Sequence, residues 1–377
     1  MIDIVRQEKQ TKILFISHNA HRAGAQLFLL HLVQWILQHT NFEVQILIVG
    51  KGTLTNDFKQ LAKTHVLRFF HRKSIKNRLL KKWVKFQIQS FAPKVIYSNT
   101  WMSGDALDWL HLDVKTIVHA HELNYWLDAC SPSTHQANLK RANFFVTASD
   151  SVKLNLMQKF SISSQIIKSV YVPIHTKRVE SLNNNNISEI IKLPHNAFVV
   201  AACGVESYRK GKDLFIPIAE KYLQKHPNPL VHFVWIGGKL EEATALAYEK
   251  SVYKSQIHFV PTIPNASTYF HAFHLFLMLS REDPFPTVNL EVGLHGVPII
   301  CFENAGGTQE LIQSDAGIAV PMEDVDQVAT AIAYLQQNED KRQLMGQILK
   351  ERVVKNYDIT TIGNKIVEVI LQQLRDE

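Results

Sequence analysis

Two carboxylates, Asp283 and Glu291, stand eight residues apart in the stretch LSREDPFPTVNLEVGLHGVP (279–298). The apolar run from Phe273 to Leu279 precedes them and reads as a buried parallel strand. Pro284 and Pro286 cannot continue a strand ladder and disfavour helix before them, so 280–285 is a turn. Pro286 suits the first helical position, which predicts a helix over 287–295. The free N–H groups at Thr287 and Val288 then face the strand's carboxyl end and make an anion site from backbone alone. With Asp283 before the helix and Glu291 within it, the two acids bracket a phosphate, one reaching a sugar and the other a ribose diol.

A second constellation supplies positive charge. The buried strand predicted at 197–203 runs into GVESYRKGKD (204–213), followed by a helix carrying Leu214, Phe215, Ile218 and Ala219. Arg209 and Lys210 at such a helix start face its N–H groups and form a phosphate clamp. A third group lies at the exit of the strand predicted over 115–123, where His121 is followed by Glu122. His119, two residues earlier, points to the same face of an extended chain. One of the two histidines is structural, and His121 is the functional candidate. Neither the cysteines nor a third histidine stands at metal-ligand spacing, so no metal is expected.

The elements that must position these groups alternate along the whole chain. Strands are expected at 12–17, 42–49, 94–100, 115–123, 144–149 and 170–173, then at 197–203, 231–238, 273–279 and 298–302. Helical spacing falls between them, at 26–38 and 75–86 and again at 325–337, 341–354 and 359–374. The fold class is α/β: two doubly wound Rossmann-like domains facing across a cleft. The boundaries are 1–180, a polar linker at 181–194, a second domain at 195–357, and a last helix at 358–377 returning to the first domain. A chain of 377 residues exceeds one ordinary core. Its 46% hydrophobic and 20% charged content describes a soluble globular protein. Three scattered cysteines fit a reducing compartment. The charged N-terminus and the lack of a long apolar run give a cytoplasmic protein, free or peripheral on the inner membrane face.

The net charge of +7 is local. Between Asp57 and Asp105 there is no acid, while eleven lysines and arginines fall there. Within that stretch Ile75, Leu79, Leu80, Trp83 and Phe86 stand at helical spacing among bases, a basic amphipathic helix. Residues 68–86 are therefore either a solvated face or a contact with an anionic membrane surface. No recognisable motif or stacking platform supports nucleic acid.

The acid-x7-Glu spacing of Asp283 and Glu291, with its flanking SREDPFP and GVP, resembles the motif of retaining family 4 (group 1) glycosyltransferases of GT-B fold. Ala23-Gly24-Ala25-Gln26 is similar to that family's Gly-Gly-Ala-Glu loop, with Ala23 in place of the first glycine. His121-Glu122 resembles the family's His-acid pair. The Arg209-Lys210-Gly211 segment resembles its diphosphate-holding segment, although Val205 stands where the family has an arginine, leaving that role to Arg209. The resemblance implies transfer of a hexose-type sugar from a nucleotide-diphosphate sugar to a hydroxyl acceptor, lipid-linked if the basic helix lies on a membrane. Cell-envelope polysaccharide or lipopolysaccharide synthesis is the implied setting. It also implies His121, Lys210 and Asp283 as catalytic residues. Gly24, Arg209, Lys210, Thr262, Asp283, Phe285, Pro286, Thr287, Val288 and Glu291 are implied as donor contacts, with no cofactor beyond the donor itself. Two competing readings are a GT-B nucleotide-sugar epimerase, which needs further acids in the first domain, and a non-catalytic nucleotide-sugar or membrane-surface binding protein.

Overall fold

A computed structural model describes residues 11–68, 70, 72, 74–176, 185, 187–205 and 207–375. Most of the predicted low-complexity linker segment, 181–184 and 186, lies outside the described residues. The chain divides into two compact units, Met1–Pro173 with Ile359–Glu377, and Ile174–Asp358.

Unit 1 is built on a seven-stranded parallel sheet. Its strands are β1 (Lys12–Ser17), β2 (Glu43–Ile48), β3 (Lys63–Val66), β4 (Val95–Asn99), β5 (Lys115–Ala120), β6 (Phe144–Thr147) and β7 (Ile167–Ser169). They lie in the order β3-β2-β1-β4-β5-β6-β7. β1 is buried except at its first residue, and β4 throughout, as a strand covered on both faces requires. The order reverses between β1 and β4, so the crevice at their carboxyl ends is the topological switch point. Ile359–Arg375 belongs to this unit, with Ile362, Ile366, Val369 and Ile370 buried along one stripe.

Unit 2 repeats the plan. Its six parallel strands are β8 (Phe198–Cys203), β9 (Val231–Ile236), β10 (Ile257–Val260), β11 (Leu275–Met278), β12 (Ile299–Phe302) and β13 (Gly317–Val320). Their order is β10-β9-β8-β11-β12-β13, which reverses between β8 and β11. Both units are Rossmann-like and together define a GT-B fold.

Several expectations shift. Residues 170–173 are not a strand. The last strand of unit 1 is Ile167–Ser169, and the Val170 N–H beyond it donates to the Thr147 carbonyl at 2.8 Å. β3, β10 and β13, which the sequence does not predict, are four-residue edge strands paired on one side only. The basic helix runs over Ile75–Phe91, but it buries Asn77, Val84, Ile88 and Phe91 and leaves Ile75, Leu79, Leu80, Trp83 and Phe86 exposed.

Candidate active site

The unit 2 site forms at the switch point, from the loops leaving β8 and β11. After Cys203 the chain turns through a short 3-10 segment, Tyr208–Lys210, and reverses at Gly211 with φ +68°. A Cβ at Gly211 would lie 2.0 Å from the Leu279 carbonyl oxygen, so only glycine lets the two loops close on each other. Arg281 fastens them. Its N–H donates to the Arg209 carbonyl at 2.8 Å and its guanidinium forks onto Asp213 at 2.8 and 2.7 Å. It also bonds the Tyr208 carbonyl and Glu323 and stacks over the Tyr208 ring, 3.7 Å from its centroid.

The two cations do not meet a helix terminus as expected. The helix they precede, Phe215–Lys225, begins only after a second 3-10 turn, so Arg209 and Lys210 turn instead to the β11 loop. Lys210 Nζ lies 2.5 Å from an Asp283 carboxylate oxygen, and Arg209 Nη1 lies 3.4 Å from the same oxygen. Arg209 also donates to the Glu282 carbonyl at 2.5 Å. Asp283 is buried and fixed by its backbone: its N–H donates to Ala305 at 2.7 Å and its carbonyl accepts from Gly307 at 3.2 Å. Val205 is exposed.

The helix after the turn is Thr287–Leu294. Pro286 is its N-cap and not its first helical residue, with φ −69° and ψ 119°, so the helix begins at Thr287. The N–H groups of its first turn lack intrahelical acceptors, as at any helix start. Half-buried Thr287 and Val288 stand there at the exit of β11. Phe285 is buried and stacks on Tyr357 with ring centroids 5.4 Å apart, so its side chain anchors the turn. Burial pushes the Glu291 carboxyl up to about 7. The Cys203 thiol is pushed up to about 12 by burial and then by Glu291, while Lys210 opposes. Thr262 stands apart, after β10, where its hydroxyl accepts from the Gly238 N–H at 3.0 Å.

In unit 1 the candidate histidine sits at the other switch point. His121 Nε2 is 3.0 Å from Asn99 Oδ1. Because the Asn99 amide nitrogen donates to the Ala25 carbonyl at 2.9 Å, its oxygen accepts from His121 Nε2–H. Burial, followed by the neighbouring His18, lowers His121 to about 3, so the ring is neutral with a bare Nδ1. His18 has the opposite tautomer. Gln26 Nε2 donates to its Nε2 at 3.2 Å, so His18 Nδ1–H donates to the Thr100 hydroxyl at 2.6 Å. Thr100 holds φ +80°, an uncommon backbone for a branched residue.

His119 shares the face predicted for it, its ring centroid 4.0 Å from that of His121. It is fully buried and bonded through Nδ1 to the Tyr97 hydroxyl at 2.6 Å, a structural position. Glu122 is buried and accepts from the N–H groups of Trp101 at 3.0 Å and His121 at 2.7 Å, tying the β4 and β5 exits together. Gly24 opens the helix Gly24–His39 at an exposed position, and a Cβ there would meet nothing within 4 Å.

The sequence reading did not identify the His18–Thr100–Gln26 network or Arg281. Polar residues at the exits of β1 and β4 were the only available signal for the first. Among the described residues, no group of three or more His, Cys, Asp or Glu side chains could hold a metal ion.

Residues 197–338, which cover most of unit 2, match the model of the family described as Glycosyl transferases group 1. A protein of Haemophilus influenzae named as an uncharacterized glycosyltransferase is 22% identical over 185 residues, 46% of this chain. That match spans about half the length of the relative, 51%. Among solved structures, HepE of Anabaena in complex with UDP and glucose superimposes with a TM-score of 0.77 at 16% identity, covering 96% of this chain and 99% of that one. The lipopolysaccharide outer core galactosyltransferase WaaB superimposes with a TM-score of 0.74 at 13% identity, covering 96% and 100%.

Proposed function

We propose that the chain is a retaining glycosyltransferase of family 4. It moves a hexose-type sugar from a nucleotide-diphosphate sugar to a hydroxyl acceptor in cell-envelope polysaccharide or lipopolysaccharide assembly. The observation that carries this is the convergence of Lys210, Arg209 and Asp283 on the carboxyl ends of β8 and β11, beside the start of the Thr287–Leu294 helix. A diphosphate bound there displaces Asp283 from Lys210, and its departure is stabilised by two cations and backbone N–H groups, without a metal cofactor. Asp283, once displaced, is free for a donor-sugar hydroxyl. Glu291, about one turn inside the Thr287–Leu294 helix, takes the ribose diol, and Thr262 borders the base. In unit 1, neutral His121 offers hydrogen bonds to a sugar and not a charge. Catalysis is chiefly positioning and charge stabilisation. The match to the group 1 family model and the likeness to a UDP-bound structure support this reading.

The test is a thermal-shift panel of UDP, GDP, ADP and CMP, followed by the matching sugar nucleotides. A single nucleotide should raise the melting temperature by mass action. In Lys210→Ala that shift should vanish. A panel without a responder, or a responder indifferent to Lys210→Ala, overturns the site.

A further inference from the structure

Next to the phosphate clamp, unit 2 carries a charge into its interior. Lys212 directly follows Gly211 and is only 3% exposed, and its ammonium lies 5.6 Å from the ring centroids of both Trp235 and Phe259. Burying an ammonium adds little to stability that an apolar side chain of like volume would not. What Lys212 holds is backbone. Its Nζ donates to the Gly237 carbonyl at 3.1 Å and to the Lys239 carbonyl at 2.8 Å, both in the loop that leaves β9. That loop is joined to the exits of both neighbouring strands. The Gly204 carbonyl, after β8, accepts from the Trp235 indole N–H at 3.0 Å, and the Gly237 N–H donates to the Val260 carbonyl at the end of β10 at 2.9 Å.

Drawing two carbonyls toward Lys212 also sets the other half of each peptide. In a trans peptide the N–H points opposite to the C=O, and among the described residues no peptide is cis. The Gly238 N–H is thereby turned away from Lys212 and onto the Thr262 hydroxyl, at 3.0 Å. With its oxygen accepting there, Thr262 keeps its own O–H to donate. The Leu240 N–H is turned away in the same manner. Among the described residues it has no protein acceptor, which leaves it open to a ligand. The buried ammonium thus sets the direction of a hydroxyl and of a backbone donor, groups suited to the polar edge of a planar base.

We infer that Lys212 is a positioning residue for the donor's nucleobase, acting through the Gly237 and Lys239 carbonyls on the Leu240 N–H and the Thr262 hydroxyl. This deepens the proposed donor site and rests on that reading for the ligand being a nucleotide. The contacts it governs lie on the β9 and β10 side of β8, whereas Lys210 turns to Asp283 on the β11 side. Base and diphosphate contacts can therefore be lost separately.

The experiment is isothermal titration of the full chain with the nucleoside diphosphate that responds in the thermal-shift panel, and with inorganic pyrophosphate, which has no base. Lys212→Met puts a thioether between the two rings, a contact that sulfur tolerates well. It should raise the nucleotide Kd by ~10-fold or more, as the loss of a placed hydrogen bond does, and leave the pyrophosphate Kd within ~2-fold. Lys212→Gln keeps an N–H donor and should lose less, and it carries the same comparison if the methionine variant does not fold. In a double-mutant cycle, Thr262→Val should cost less on Lys212→Met than on the parent, since both changes act on one contact. An unchanged nucleotide Kd, an equal loss for pyrophosphate, or costs that simply add each overturn the inference while the donor site stands. A parent that binds none of the nucleotides overturns the donor site and this inference together.

Discussion

Charge state separates the two sets of candidate residues. His121 is neutral because burial holds its pKa at about 3, far below an imidazole in water. It therefore gains no proton anywhere in the working range of pH. His121→Ala should lower turnover by the same factor from about pH 5.5 to about 8.5, since the folded ring titrates below that window. A factor that grows on the acid side would show a protonated histidine and overturn the assignment. Glu291 behaves oppositely. Its folded carboxyl titrates near 7, and an unfolded one near ~4.3. Between those values the folded state holds more protons, so its contribution is whole below about pH 4.3 and is lost as pH rises through 7. Glu291→Gln should remove that loss, so the variant gains melting temperature relative to the parent as pH rises across the window. Bound nucleotide should bring the parent's Glu291 carboxyl down if the ribose hydroxyls donate to it. For catalysis, Lys210→Ala and Glu291→Ala should each cost at least ~100-fold in turnover.

At the scale of elements, the site depends on two loops held closer than side chains alone allow. Gly211 combines a positive φ with a carbonyl 2.0 Å from where a Cβ would stand. Gly211→Ala should cost ~2 kcal/mol or more in denaturant unfolding of unit 2. Arg281 does the fastening, and its fork onto Asp213 cannot be copied by an ammonium. Arg281→Lys should lower kcat/KM for the donor by ~10-fold or more, through both KM and kcat, because Arg209 and Lys210, once misplaced, hold the bound diphosphate less well and its departing charge less well still. A loss confined to kcat, with KM unchanged, would argue that the loop bears on the transition state alone.

These loops also show what was legible in the sequence. The turn at 280–285 and the helix after it followed from Pro284 and Pro286 and were read to within a residue. The direction in which Arg209 and Lys210 point was not, since Arg209's partner is the Glu282 carbonyl, a backbone atom that leaves no trace in residue type. The inserted 3-10 turns, which separate the cations from the Phe215–Lys225 helix, carry no apolar period either. The edge strand β3 was hidden for a related reason: Lys63–Val66 is a lysine-led tetrapeptide with one buried side chain, His65. By contrast β1 and β12 were read almost to their ends, because strands buried on both faces spell continuous apolar runs.

At the scale of the whole molecule, the chain leaves unit 1 at Pro173 and returns to it at Ile359, so unit 1 is completed only by the last helix. Within unit 2 the two crossing segments lie side by side: the Ile174 N–H donates to the Tyr357 carbonyl at 2.8 Å, and the Thr176 hydroxyl donates to Asp358 at 2.7 Å. The returning helix meets the first helix of unit 1 at Gly363, where a Cβ would lie 2.4 Å from the Trp35 ring. Trp35 is itself buried and stacked on His39. A larger side chain at 363 must push the helix off a tryptophan that cannot retreat, and Ile362 and Ile366 on either side lose their packing with it. Gly363→Leu should therefore destabilise unit 1 by ~2 kcal/mol or more and leave unit 2 intact. Hydrogen exchange resolves the two. Protection should fall in β1, β4 and β5 and stay unchanged in β8 and β11, with the nucleotide-induced protection of the Tyr208–Lys210 turn preserved. Equal loss in both sheets would mean that the units unfold as one, and the division of the chain at 173 and 359 would be one of geometry without a matching division of stability.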